Sequence, residues 1–186
     1  MTTRRPAPPT KQLGLVDDSV AEDDAGYRCI AADPPWQEKG GSRGADKHYQ
    51  LIHTADIPRV MMQSPLWRPA ARAHLWLWVT SNFLEDGLFV LQALGFRFVS
   101  TMVWVKPSMG IGQYLRLRHE ILLFGVRGRL HTKDNGVDSV VEAPRSRHSV
   151  KPEEAYSRIE RVSPGPRLEM FARAERPGWD VWGNEV

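Results

Sequence analysis

The sequence predicts an α/β domain built on a mostly parallel sheet. Three observations predict it. Residues 27–32, 73–80 and 98–106 are short runs that stay apolar through their middle, as strands covered on both faces do. A helical pattern lies between the second and third runs, giving the strand–helix–strand order of a parallel sheet. The first run ends at Asp33-Pro34-Pro35-Trp36. Neither proline has an N–H to donate to a ladder, so the chain must leave the sheet there in a stiff turn.

The elements follow in order. Residues 1–24 read as a flexible tail, proline-rich and basic at first, then acidic. The domain is expected over 25–186. After the turn, residues 37–49 hold Gly40, Gly41 and Gly44 and no periodicity, and read either as a lid over substrate or as a solvated loop. Thr54 is placed as the N-cap of a helix burying Ile57, Val60 and Met61. Asn82 is placed as the cap of the next helix, with Leu84, Leu88, Leu91 and Leu94 on its apolar face and Gly95 at its end.

Pro107 stops the third strand, and 108–118 is irregular. A short apolar strand is expected over 121–126, a polar connection over 127–138 and a further strand within 137–143. A basic loop leads to Lys151-Pro152-Glu153-Glu154, a helix start with proline at its first position and two acids in its first turn. Ala155, Tyr156, Ile159 and Val162 are its buried face. Ser163-Pro164-Gly165 makes a turn, and strands over 167–171 and 180–182 close the chain.

Composition limits the function. The 186 residues, 41% hydrophobic and 25% charged, are enough for one domain with a full core. No apolar run is long enough to span a membrane, and the N-terminus lacks the apolar stretch of a secretory signal. Cys29 is the lone cysteine, which excludes an internal disulfide and a cysteine-based zinc site. The six histidines show no metal spacing, so no metal is expected, and the cytoplasm is the expected compartment. The net charge of +3 is uneven: residues 1–24 carry −2, and the rest carries 22 basic against 17 acidic side chains. A mildly basic body suits a polyanion, although a solvated basic face gives the same count.

The turn at Asp33 places a carboxylate and an indole at the carboxyl edge of a sheet, where open α/β folds bind ligands. An acid, two prolines and an aromatic suit methyl transfer to an amino group on a planar base. Such an amine is a poor nucleophile because its lone pair is conjugated with the ring. A carboxylate accepting one amine hydrogen and a proline carbonyl accepting the other draw the lone pair out, while an aromatic face holds the base. The same four residues also make an ordinary turn with a core aromatic, so the surroundings must decide.

Those surroundings are Leu77-Trp78-Val79-Thr80, Trp104-Val105-Lys106, Arg118-His119-Glu120, Ser149-Val150-Lys151-Pro152-Glu153-Glu154, Ser163-Pro164-Gly165, residues 168–173 and residues 179–185. In this order, from Tyr27 to Val186, they resemble the catalytic-subunit family of mRNA N6-adenosine methyltransferases, which also has bacterial and phage DNA-adenine members. The resemblance implies a Rossmann-like, S-adenosylmethionine-dependent methyltransferase fold, circularly permuted, with helices on both sheet faces. The catalytic turn comes first and the cofactor half last, and there is no G-x-G-x-x-G loop to find.

The resemblance also implies roles. Asp33, Pro34, Pro35 and Trp36 are the catalytic turn. Asp33, Lys151, Arg173, Glu175, Asn184 and Glu185 are expected to bind S-adenosyl-L-methionine, Lys151 at the methionyl carboxylate and Asn184 or Glu185 at the ribose. Trp36, Tyr49, Arg116, Arg118, His119, Arg145 and His148 are expected along the substrate path, and Glu120 and Glu169 in supporting positions. The expected partner is nucleic acid, with DNA ahead of RNA because a short free-standing domain resembles a modification enzyme. RNA adenine, the N4 amine of cytosine and a catalytically inactive nucleic-acid-binding subunit remain open. Without a target-recognition domain, selectivity must come from the loops, from a homodimer or from a partner subunit.

Overall fold

The computed structural model describes residues 25–37, 51–110, 114–145 and 150–183. Its strands are β1 (Tyr27–Ala32), β2 (Pro69–Val79), β3 (Arg97–Val105), β4 (His119–Arg127), β5 (Val140–Glu142), β6 (Arg167–Met170) and β7 (Asp180–Trp182). They form one sheet in the order β5-β3-β4-β2-β1-β6-β7. Only β4 runs antiparallel to its neighbours β2 and β3; the other pairings are parallel. The sheet is therefore mostly parallel, as the continuous apolar strands require. The neighbouring strands β1 and β6 come from opposite ends of the sequence, with Ala31 beside Glu169.

Helices α1 (Ile57–Gln63) and α2 (Leu84–Ala93) cover one face, and α3 (Glu153–Val162) covers the other. The α3 face holds Ala155, Tyr156, Ile159 and Val162 against Cys29, Ala31, Trp76 and Trp78, the buried stripe expected. Pro152 stands just before the helix rather than as its first residue.

The packing of α2 differs from the expectation. Its inward stripe is Gly87, Val90, Leu91 and Leu94, while Leu84 and Leu88 lie exposed on its flank. The cause is Gly87: a Cβ there would stand 2.6 Å from Val79 Cγ1 and 2.7 Å from Leu123 Cδ1. Without a side chain the helix drops onto β2 and β4, and its stripe centres on the glycine. Asn82 does not cap α2. It lies in a 3-10 turn, Ser81–Phe83, closed by the Phe83 N–H donating to Thr80 O at 2.9 Å. Thr54 is likewise not a cap but the buried first residue of a 3-10 turn, and His53 Nδ1 accepts from Ala55 N instead. Gly95, at φ 82°, ends the α2 segment as expected of a residue without a Cβ. No helix of the described residues is long and apolar enough to cross a membrane.

Candidate active site

The parallel strands all end at one edge of the sheet, and β4, being reversed, begins there. This brings Asp33 after β1, Lys106 after β3 and Glu120 at the start of β4 to one rim, with Lys151 arriving from the segment before α3. Lys151 Nζ donates to Asp33 Oδ2 at 2.6 Å and lies 3.4 Å from Glu120 Oε2. Glu120 Oε1 is also paired with Lys106 Nζ. The four charges alternate in sign along the rim. Lys151 and Asp33 are 9% and 20% exposed, which leaves the pair at the boundary of the core, within reach of a ligand.

Burial alone would depress the Lys151 ammonium, but Asp33 and Glu120 more than offset it and hold its pKa above the ordinary lysine value. Burial opposes ionisation of Glu120, yet the two lysines hold its pKa below the usual carboxylate value. Lys106 goes the other way: burial lowers its pKa, and Glu120 offsets that only in part. Lys151 and Glu120 thus stabilise each other as ions.

Several polar valences at this corner are open among the described residues. Asp33 Oδ1 accepts no hydrogen bond. The indole N–H of Trp78, whose ring lies 5.4 Å beneath Lys151 Nζ, is buried without a partner. Pro152 gives α3 no side-chain cap, so the first N–H groups of the helix remain for solvent or a ligand. Donors of this kind beside one free carboxylate oxygen fit a zwitterion: the ammonium and amide N–H groups suit its carboxylate, and Asp33 suits an amine.

The turn is fixed by its own backbone. Trp36 N–H donates to Pro34 O at 2.9 Å, and Ile52 N–H to Pro35 O at 2.9 Å. Pro34 O keeps its second lone pair. The Trp36 ring stacks on Phe83 at 5.4 Å, and its Nε1 donates to Trp78 O at 3.1 Å. One face of this indole is therefore occupied by the core.

On the far side of Asp33 lies the loop after β6. It opens with Phe171 at φ 62°, a left-handed conformation that a bulky residue adopts only when its surroundings impose it. Arg173 is half-buried on this loop and Glu175 is exposed. The residue of this loop that turns inward is Arg176, which sequence reasoning missed. Its guanidinium stacks 3.5 Å over the Tyr156 ring, grips Glu153 at 2.6 Å and stands 3.5 Å from Glu169. Tyr156 OH donates to Glu169 Oε1 at 2.5 Å. Burial raises the pKa of Glu169, and Tyr156 and Arg176 counter it only in part. Burial also raises the Tyr156 phenol well above its ordinary value.

Arg116, Arg118, His119 and Arg145 all belong to the same rim. Arg118 Nε donates to Lys106 O at 3.1 Å, and His119 Nε2 is 3.1 Å from Ser81 Oγ. With Leu84, Val103, Val105 and Ile121, Arg118 and His119 line a hollow of about 300 Å³. A second of about 300 Å³ lies between Lys106, Arg118 and Glu142. Neither hollow is lined by Asp33 or Lys151. Arg116 and Arg145 are exposed. Tyr49, His148, Asn184 and Glu185 lie outside the described residues, but Gly183 ends β7 at this rim. There a Cβ would collide with the Ala172 carbonyl, so Gly183 itself lies tightly against the loop after β6. Among the described residues no group of three or more His, Cys, Asp or Glu is placed to hold a metal ion.

Comparison with known proteins finds relatives over most of the chain. A family model described as MT-A70 matches residues 27–185. The chain is 31% identical over 173 residues to a putative N(6)-adenosine-methyltransferase MT-A70-like protein of Medicago truncatula, covering 86% of this chain and 26% of that one. It is 30% identical over 172 residues to the human N(6)-adenosine-methyltransferase catalytic subunit METTL3, covering 86% and 28%. It is 26% identical over 182 residues to the type II methyltransferase M.MunI of a Mycoplasma species, covering 86% and 78%. The chain thus spans about a quarter of the length of the first two relatives.

Proposed function

The chain belongs to the MT-A70 family, and on that premise we propose that it transfers a methyl group from S-adenosylmethionine to the N6 amine of adenine in nucleic acid. The observation that carries this reading is the Lys151–Asp33 ion pair at the carboxyl edge, which joins the proline turn to the second half of the chain. When bound, the cofactor supplies an electrophilic methyl group on a sulfonium. The residues of this chain do the rest. Lys151 and the first N–H groups of α3 hold the methionyl carboxylate. Asp33 Oδ1 accepts one hydrogen of the target amine, and the free lone pair of Pro34 O accepts the other. The nitrogen lone pair then points along the line of transfer, and Asp33 is placed to take the proton that the nitrogen sheds.

Trp36 contributes to the base pocket with the ring edge and face that Phe83 leaves uncovered. Glu120 and Lys106 set the charge and position of Lys151. Arg173, Glu175, Asn184 and Glu185 complete the cofactor side in this reading. Arg116, Arg118, His119 and Arg145, with Tyr49 and His148, flank the substrate path, where their charges suit phosphates.

DNA is placed ahead of RNA in this reading, as expected from the sequence, and a type II methyltransferase stands among the relatives. The reading is checked with labelled cofactor on matched DNA and RNA oligonucleotides, followed by nucleoside mass analysis. N6-methyladenine in the DNA product is expected. Label in RNA alone reverses the substrate order, and no label in either removes the activity.

A further inference from the structure

At the opposite edge of the sheet a row of basic side chains has no ion-pair partner among the described residues. The parallel strands begin there and β4 ends there, so Arg28 of β1, Arg97 of β3, Arg127 of β4 and Arg167 of β6 share one rim, with Arg129 just beyond β4. Lys133 joins them at the C-terminus of α3, its N–H donating to Val162 O and its Nζ to Glu160 O. None of these six forms an ion pair with a described residue. The nearby acids are engaged elsewhere: Asp180 by the Tyr27 hydroxyl at 2.6 Å, Asp134 by Arg161 at 2.6 Å and Glu160 by the Trp179 indole at 2.7 Å. Arg28 and Arg167 sit on adjacent strands, one position apart in register, and the Nε atom of each is buried without a hydrogen-bond partner. At the catalytic edge, by contrast, Lys106, Lys151 and Arg176 each meet a carboxylate.

We infer that this rim is a second nucleic-acid contact, which grips the phosphate backbone of the substrate at a distance from the target base. The inference rests on the activity proposed above. Five of the six side chains are arginine, whose planar fork matches phosphate oxygens in pairs. Strands β3, β4, β2, β1 and β6 are consecutive neighbours, and at about 4.8 Å per strand the row extends about 19 Å. Phe98, 43% exposed, stands beside Arg97 and offers a stacking face that an acidic peptide would not need. Arg28 stands five residues before Asp33 along β1, about 17 Å at about 3.3 Å each, and Arg97 stands nine before Lys106 along β3, about 30 Å. The two edges face opposite ways, so a straight nucleic acid of one helical turn, about 34 Å, lies on one edge or the other, whereas a longer one that bends or folds around the domain meets both.

The test compares the full chain with an Arg97→Gln, Arg129→Gln double variant, both positions being exposed. Methylation is measured on substrates of about 10 and about 60 nucleotides with the same target, at several salt concentrations. The wild type is expected to show a KM at least about tenfold lower on the long substrate, and the variant to lose that advantage with kcat and the short-substrate KM unchanged. The salt slope for binding the long substrate, read by fluorescence anisotropy, is expected to fall by roughly two. Equal wild-type KM values on both lengths, or a variant that weakens both alike, overturn the inference while leaving the activity standing. If neither length is methylated, the proposed activity fails, and the rim is judged by the anisotropy slope alone: an unchanged slope overturns it. Polyglutamate competing as well as nucleic acid of equal charge overturns the assignment of partner. A Lys133→Gln variant is the second probe and is expected to lower the slope by about one.

Discussion

Two polar clusters lie on the α3 face of the sheet, one near each end, and they are built on different terms. Near the far end, His74, Ser163 and Trp76 are buried and neutral. Leu130 O can only accept, so His74 Nε2 carries the proton in their 3.1 Å contact, and Nδ1 accepts from the Ser163 hydroxyl at 2.9 Å. Ser163 Oγ in turn accepts from Trp76 Nε1 at 2.9 Å. All the ring nitrogens are satisfied and no ligand is needed. At the carboxyl edge Lys151 pairs with Asp33 and Glu120, and Glu120 with Lys106, while Asp33 Oδ1 and the Trp78 N–H have no hydrogen-bond partner among the described residues. A closed neutral cluster fixes the fold, whereas a charged cluster with spare valences is kept for something that binds.

Replacing one residue in each cluster sharpens this contrast. The largest effect is expected for Asp33→Asn: methyl transfer should fall by about 10²- to 10⁴-fold, with the circular dichroism spectrum and a cooperative melt retained. Near-normal turnover would break the comparison by making the charged cluster structural. Next comes Ser163→Ala, which orphans two buried partners. Urea denaturation should show a loss of about 2–4 kcal/mol, and activity per folded molecule should be unchanged. A loss of activity at full stability would invert the two assignments.

The clusters also separate on the pH axis. Burial lowers the His74 pKa, against the Leu130 hydrogen bond, so the unfolded chain takes up that proton first. Stability from this cluster is therefore full above about pH 6.5 and declines as pH falls from there towards the folded pKa. Glu120, with its folded pKa below 4.5, loses its contribution only below that value. A His74→Gln variant should flatten the decline between these windows and leave the acid limb in place, which stability curves across pH will check. The smallest effect belongs to a residue outside both clusters: Tyr27→Phe, which removes the hydroxyl donated to Asp180, should cost about 1 kcal/mol by urea denaturation and nothing in turnover.

The fold was legible where the sequence pattern and the packing agree. Continuous apolar strands marked β1, β2 and β3, and the stripe from Ala155 to Val162 marked the buried face of α3. Boundaries failed where close backbone approach decides. Nothing in a list of leucines signals that Gly87 lets α2 settle onto Val79 and rotate Leu84 and Leu88 outward. The Asp33 turn and Lys151 were readable as ordered motifs. Their partnership was not, because it depends on the segment before α3 meeting the end of β1 across a sequence separation of 118. Glu120 looked like support and proved to be a direct partner of Lys151, since the reversal of β4 returns its first residues to the working edge. Arg176 was overlooked among three charged residues of one loop. Only its stacking on Tyr156, fixed by the packing of α3, distinguishes it.

The central claim is that Lys151 and Asp33 together hold the zwitterionic end of the cofactor beside the target amine. Isothermal calorimetry addresses it directly, with wild type and Lys151→Gln each titrated with S-adenosylhomocysteine and with its decarboxylated analogue. The account predicts that wild type binds S-adenosylhomocysteine, that removing either the lysine or the carboxylate weakens binding at least about tenfold, and that removing both costs little more than removing one. No binding by the wild type, or an analogue penalty that is just as large without Lys151, would contradict it.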